Sequence, residues 1–557
     1  MTRADRWLAL CLFVGTVIVV GASAQSLGFT RDEGYYFKAG RLYAAWWQEI
    51  VSQPLSALTT RSIDEHLSYN PEHPFLMKGS FALSWALNQA AGQPFLQHNA
   101  LRFPAWIAAG LSTLFVFLLA RQLLPRGPAV LAALCWISMP HVFWHMHLAC
   151  FDVGVAAGHT ALIWAYLRFR HTVTGAVVVG VVFGVVAAIK HNILPIPALL
   201  VLHWFMTESA LKHGRLRLPV VFFSLALLAP IVYIVLWPHL WPDVAGRFSG
   251  YISFHLSHEN YPILYFGDLL TTPPFPWLFP FVMSAVTIPV PIIAIMGSGV
   301  VVAGAAVTSL LRQRLGHRPG EVEVTRVPLG RNQGAASGSN ALLLLLNAWT
   351  PFFLIALPST PIFGGTKHWM NGLPFLCVLA AWAWAEGAAR VRASCAEPRT
   401  RQQQRICLIV AAVVVVGLVL PGFVISARVW PYGLGSYNEW VGFSRGAANV
   451  GMQRTFWGYE ARAALPFINE RTPRGGRIHF GDVNADSYRM YLADGLLRAD
   501  IGLAAAVKGS SVAHVEPQGE FKQQQIDVWN GANSRVPDLV LHAEGVPLST
   551  VTFRTPR

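Results

Sequence analysis

Residues 3–37, RADRWLALCLFVGTVIVVGASAQSLGFTRDEGYYF, decide how the rest of the chain is read. Residues 8–20 are apolar and follow Arg3 and Arg6, so the chain enters a membrane there and emerges near Gln25. Just beyond that exit stands the acidic pair Asp32-Glu33, followed by the aromatic run Tyr35-Tyr36-Phe37. Charge beside the hydrocarbon boundary is costly unless it is used, which makes the pair the first functional candidate. The alternative is an ordinary solvated loop start, and the rest of the chain must decide between them.

Composition agrees with a membrane location. Of 557 residues, 54% are hydrophobic and only 13% charged, with a mean hydropathy of +0.44. Soluble domains carry about 25% charged residues, so this is the composition of a polytopic membrane protein. Eleven apolar runs can cross at about 20 residues each: 7–24, 99–121, 128–147, 150–167, 174–189, 193–207, 218–236, 281–311, 341–358, 369–388 and 406–427. Basic clusters lie between alternate runs. They are Arg121 and Arg126; Arg168 and Arg170; Lys212, Arg215 and Arg217; Arg312, Arg314 and Arg318; and Arg390, Arg392, Arg399, Arg401 and Arg405. Cytoplasmic loops carry such an excess, so all five clusters fall on the side of the N-terminus. The net charge of +14 thus reflects topology and gives no call for a nucleic-acid partner.

Residues 74–92 would invert every later cluster if they crossed, so they are expected as a helix at the outer surface. Lys78 within them suits an interface better than a span. The first span has a rival reading as a secretory signal, because Ala22-Ser23-Ala24 resembles a cleavage site. The uncleaved anchor is preferred because the acidic pair follows so closely. The six cysteines sit in or beside apolar segments and imply no disulfide framework or metal motif. The expected organisation is a membrane part over 1–429, with an outer catalytic loop at about 25–98, and an extracytoplasmic C-terminal domain over 430–557. Within the latter, residues 477–482 and 537–541 read as strand ends and 461–468 as a helix, giving a small α/β unit.

This topology gathers polar groups on the outer face: Asp32, Glu33, Glu72, His73 and Lys78 in the first loop, Asp152 in the next, then Lys190-His191, residues 237–277, and Lys367-His368. A carboxylate can serve as general base on a hydroxyl or amine. Lys and His can neutralise a departing phosphate.

The same residues carry a resemblance. A first span followed by Asp32-Glu33, then His73-Pro74-Phe75-Leu76-Met77-Lys78, resembles the Asp-Glu and HPP-x-x-K pattern of the protein O-mannosyltransferase superfamily. That superfamily is glycosyltransferase family 39, of the membrane GT-C type, and the bacterial aminoarabinose transferases acting on lipid A are relatives. Leu101-Arg102-Phe103-Pro104, Asp152 after a proline-containing span, Tyr265-Phe266-Gly267-Asp268 and residues 272–277 are also similar. The likeness covers roughly 7–427, and Phe75 departs from it where the pattern has a second proline. It implies an all-α GT-C membrane fold of about eleven spans with outer interfacial helices. It further implies inverting transfer of a hexosyl or pentosyl group from a polyprenyl-phosphate donor to a protein, lipid or glycan acceptor, outside the bacterial inner membrane in the cell envelope. Asp32, Glu33 and Asp152 would be catalytic, with Asp32 the base and Glu33 its support. Lys78 and His73, with Lys367 and His368 as a second pair, would hold the donor phosphate. The partners are then the lipid donor, an acceptor and membrane lipids.

No cofactor is called for and no metal is indicated. His141, His145 and His147 end a span, with the first two one turn apart as ligands often are, but interfacial histidines are the preferred reading. His255, His258 and Glu259 form no standard metal pattern, and Lys190-His191 reads as a span boundary. The absence of a P-loop or GxGxxG disfavours a nucleotide-linked donor. A lipid or oligosaccharide transporter is the main alternative, yet the chain shows neither internal repeats nor midplane charge pairs. A non-catalytic relative is the third, and the retained acidic pair speaks against it.

Overall fold

The computed structural model describes residues 1–208, 211–212, 215–216, 218–257, 259–314, 335–393, 401–532 and 534–554. Arg217, His258, Arg318 and Arg399, singled out above, and Cys395, one of the six cysteines, lie outside that set. The first helix, Arg3–Ser23, opens on a capping box in which Thr2 and Asp5 satisfy each other's backbone amides. Its 21 residues reach roughly 31 Å, about the thickness of the hydrocarbon layer. Asp5 at its start pairs with Arg126 at 2.8 Å and Arg121 at 3.2 Å. Asp32 follows shortly after its other end, so the first basic cluster and the acidic pair mark opposite ends of the bundle.

All eleven apolar runs come out helical. Six helices among the described residues are long and apolar enough to cross a membrane: Arg3–Ser26, Gln97–Leu123, Val290–Arg314, Ser337–Ile355, Met370–Val391 and Gln402–Arg428. Arg126–Ser138, Val173–Ala187 and Val220–Val235 are shorter apolar helices. Prolines account for two departures from the expected runs. Residues 281–311 divide into Phe279–Thr287 and Val290–Arg314 at Pro289. Residues 128–147 divide into Arg126–Ser138 and Pro140–His145. In each case the residue before the proline, Ile288 or Met139, is extended, as the proline ring demands.

Helix Gln97–Leu123 packs against Arg3–Ser23, Phe75–Ala90, Arg126–Ser138 and Asp152–Phe169, making it the hub that supports the outer face. Helix Arg31–Ser52 buries Glu33, Tyr36, Phe37, Gly40, Tyr43 and Ala44 in a stripe at helical spacing, with Gly34, Ala39 and Trp46 buried beside it. That stripe lies on Phe75–Ala90, the segment expected at the outer surface, which is not among the spanning candidates.

The C-terminal region is α/β. A five-stranded mixed sheet runs in the order Gly502–Leu503, Arg477–Phe480, Val512–Val515, Val546–Phe553, Leu539–Ala543. The first two pairings are parallel and the last two antiparallel. Helices Ala461–Arg471, Ala485–Ala493 and Lys522–Ala532 accompany it. Ala485–Ala493 packs on Arg31–Ser52, so this region rests against the helix that carries the acidic pair.

Candidate active site

Thr30 caps helix Arg31–Ser52. Its hydroxyl accepts from the Glu33 amide at 3.3 Å, and the Glu33 carboxylate accepts from the Thr30 amide at 3.1 Å. This fixes Asp32 in the first turn, where the helix dipole favours a negative charge. The Asp32 side chain is 28% exposed, and its Oδ2 accepts from Lys367 Nζ at 2.8 Å. Burial pushes the Asp32 carboxyl up, but Lys367 and Arg31 outweigh that and hold it below the usual carboxylate range. Asp152 opposes them from nearby. Lys367 is raised in turn, because Asp32 and Asp152 together outweigh the desolvation of its ammonium.

Glu33 has a different surrounding. It is 0% exposed and receives Arg102 Nε and Nη2, each at 2.7 Å, together with the Ala149 amide at 2.8 Å. Arg102 also donates to the carbonyls of Leu27 at 3.2 Å and Gly28 at 2.6 Å. The pair therefore joins the helix start, the hub helix and the turn before Asp152. Asp152 opens helix Asp152–Phe169, is buried, and accepts from Lys190 Nζ at 2.8 Å. Lys190, read from sequence as a boundary, is thus a member of the cluster.

The four residues expected at the donor phosphate have different immediate surroundings. Lys367 stands beside Asp32, with its ammonium 4.6 Å from the centre of the Trp457 ring and 5.4 Å from that of Phe363. His368 Nε2 accepts from the Gly364 amide at 3.0 Å and so closes the turn that presents Lys367. Lys78 is fully buried; its ammonium donates to the Asn70 carbonyl and lies 5.3 Å from the Tyr43 ring. Burial pushes its pKa down, against the pull of Glu72. Lys78, on the segment expected at the outer surface, is thus enclosed by protein. His73 lies against His191, His255 and Phe151, with its ring 4.6 Å from Phe151. Burial first, then Lys190 and Lys78, hold its imidazole well below the ordinary value, so it is neutral.

The histidines at 141, 145 and 147 are buried. His141 Nε2 donates to the Ser436 carbonyl at 2.7 Å, leaving Nδ1 to accept from Thr366 at 3.1 Å. That bond steadies the turn bearing Lys367. His145 donates to the His141 carbonyl, and His147 to that of Phe143 while meeting Ser23 at 2.7 Å. These bonds tie the three histidines into the fold.

The C-terminal region supplies contacts that sequence reasoning missed. The Arg31 amide donates to the Trp457 carbonyl at 2.9 Å, and its guanidinium pairs with Asp482 at 3.1 Å. Asn484 donates to the Arg31 carbonyl, close enough that a Cβ on Gly34 would meet its side-chain oxygen at 2.0 Å. Tyr491 accepts from the Phe29 amide at 3.0 Å. Residues Phe29 to Gly34 are thereby held from below by the membrane helices and from above by the C-terminal sheet region. A further feature is an apolar cleft of about 340 Å³ lined by residues including Trp46, Trp47, Phe75, Leu83, Val235 and Trp241.

No protein-family model matches the chain. No curated protein matches it either. Solved structures are similar along nearly its whole length. ArnT from Cupriavidus metallidurans bound to undecaprenyl phosphate is 14% identical, with 98% of each chain covered and a TM-score of 0.49. The same protein in its apo state is also 14% identical, over 99% of this chain and 98% of that one, with a TM-score of 0.47. The Archaeoglobus fulgidus oligosaccharyltransferase is 12% identical, over 90% of this chain and 65% of that one, with a TM-score of 0.48.

Proposed function

We propose that this protein is a GT-C membrane glycosyltransferase. It moves a sugar from a polyprenyl-phosphate carrier to an acceptor hydroxyl or amine on the outer face of a bacterial inner membrane. The observation that carries the reading is the double couple Asp32–Lys367 and Asp152–Lys190, two carboxylates and two ammonium groups at one end of the bundle. Asp32 reaches solvent and is held ionised, as a base must be. It takes the proton from the acceptor as the acceptor attacks the anomeric carbon. The bond from that carbon to the phosphate oxygen breaks, its electron pair leaving with the polyprenyl phosphate. One displacement inverts the anomeric centre. Lys367 and Lys190 stabilise the charge that gathers on the leaving group. Asp152 holds Lys190 in place, and Glu33 fixes the helix turn that aims Asp32. Lys78 supports the loop at Asn70, while His73 belongs to the neighbouring histidine group.

The apolar cleft suits the polyprenyl tail. Trp46 and Trp47 lie about 21 Å along the helix from Asp32, a span that several isoprene units cover. The basic cluster Arg121 and Arg126, at the opposite end of the bundle, supports the outer siting. A transporter reading gains no comparable support, since these charges sit at one end rather than the midplane.

The test is transfer by the purified protein from a mixed pool of polyprenyl-phosphate sugars, with mass spectrometry of envelope glycolipids and glycoproteins from a deletion strain. A glycan missing from the deletion strain and formed by the protein in vitro is expected. An unchanged envelope together with no transfer from any donor overturns the reading.

A further inference from the structure

Three histidines distant in the chain meet beside the Asp152–Lys190 couple. His73 comes from the turn before helix Phe75–Ala90, His191 from the 3-10 turn His191–Ile193, and His255 from the last turn of Val244–Leu256. One ring nitrogen of each lies within 4.8 Å of the other two. The His191 and His255 rings are 3.8 Å apart at their centres, and those of His73 and His255 are 6.1 Å apart. His73 Nδ1 is buried and makes no hydrogen bond among the described residues. His255 Nε2 donates to the Glu72 carbonyl at 2.9 Å. That bond holds the His255 ring, the way ligating imidazoles are held by a neighbouring acceptor. The two nearby lysines are each engaged: Lys190 with Asp152, and Lys78 with the Asn70 carbonyl.

We propose that His73, His191 and His255 together bind one divalent cation of the zinc class, each through one ring nitrogen. Zinc–nitrogen bonds of about 2.0–2.1 Å in a tetrahedron put the nitrogens about 3.3 Å apart. Modest side-chain rotation therefore closes the set. Three imidazoles favour zinc, cobalt, nickel or copper over magnesium or calcium, which prefer oxygen. Three protein nitrogens also leave a fourth position for an exchangeable ligand, the pattern of reactive rather than purely structural zinc sites. A cation there adds positive charge next to Lys190, where the leaving phosphate is proposed. The cation site itself does not depend on the transferase reading.

The experiment uses the full-length protein purified in detergent, stripped with a chelator, incubated with zinc or cobalt chloride and desalted. Wild type is expected to retain about one metal ion per chain by elemental analysis. His191→Gln and His255→Gln should each cut retention about tenfold or more, with monodispersity and metal-free melting temperature unchanged. The cobalt-loaded wild type should show the intense visible bands of a four-coordinate ion, a readout that needs no variant to fold. Failure of wild type to retain metal, full retention by both variants, or a weak six-coordinate cobalt spectrum each overturns the proposal. Retained metal in a protein that transfers no sugar would leave the site standing and overturn the transferase reading. Transfer by a protein that never retains metal does the reverse.

Discussion

Asp32 and Glu33 are chain neighbours in one helical turn, yet they belong to two different regions of the molecule. Glu33 faces inward, where Arg102, the Ala149 amide and the Thr30 amide satisfy it from three segments, and water does not reach it. Asp32 faces the C-terminal region, keeps one strong partner in Lys367 and remains 28% exposed. A buried carboxylate with every lone pair used has nothing left to offer a substrate and serves as scaffold. A carboxylate kept ionised by one movable lysine, and open to solvent, can exchange that partner for a proton from an acceptor. Identical chemistry one residue apart is divided by what lies around it.

Removing each charge breaks this comparison in opposite ways. Asp32→Asn should leave the amount and melting temperature of the protein in detergent near wild type, while transfer falls about 10²–10⁴-fold, the usual contribution of a general base. Near-normal transfer at equal protein level would falsify the base assignment. Glu33→Gln should act through the fold, since it leaves Arg102 charged and buried without its partner. A loss of about 3–5 kcal/mol is expected for breaking such a pair, seen as a lower melting temperature and less protein in the membrane. If instead Glu33→Gln keeps wild-type stability and loses only turnover, the scaffold role is wrong and Glu33 belongs to the chemistry.

The division between the two carboxylates was partly legible. The Asp-Glu pair stands out because it follows the first span directly, and the apolar runs reveal the helices because lipid admits few alternatives. Proline positions show where two of those runs break. What the sequence conceals is pairing over distance. Arg31 and Asp482 meet across 451 positions, and Lys367 and Asp32 across 335. No local pattern marks Trp457 as the ring beside Lys367, although its backbone is held in the left-handed region at φ 66°, a conformation rare for a large side chain. The burial of Lys78 is hidden for a related reason. A lysine in an apolar helix reads as a surface anchor, and only the fold reveals that Asn70 and Tyr43 enclose it.

Lys367→Met sharpens the account of Asp32. The charged hydrogen bond is worth about 1.5–3 kcal/mol, so transfer should fall roughly ten- to a hundredfold at neutral pH. The pH profile separates this from a mere loss of packing. Wild-type Asp32 is held below the usual carboxylate range, so it stays ionised as pH falls and its couple with Lys367 persists until pH drops through that depressed value. Without Lys367, burial is the largest remaining influence and raises the carboxyl, so the acid limb of transfer should move upward. Rates measured from about pH 4 to pH 8 should be flat for wild type and fall earlier on acidification for the variant. Coincident limbs for the two proteins would show that Lys367 does not set the ionisation of Asp32.

The smallest effect is expected at Lys78. Its ammonium is enclosed by the Asn70 carbonyl and the Tyr43 ring, and it lies in the helix beneath the loop rather than beside Asp32. Lys78→Met keeps the apolar stem, removes a costly buried charge and leaves one carbonyl unpaired. Those two changes oppose each other, because an unsatisfied buried acceptor costs about 1–3 kcal/mol while an apolar replacement recovers desolvation of similar size. Stability should therefore shift little, and donor KM should stay within about threefold of wild type, since the change lies below the roughly 1.5 kcal/mol of a lost charged contact. Kinetics with varied donor and fixed acceptor measure this directly. A selective rise of ten- to a hundredfold in donor KM, with acceptor KM unchanged, would return the phosphate to Lys78. It would also mean that the loop around Asn70 opens when the donor binds, freeing a lysine that the resting fold encloses.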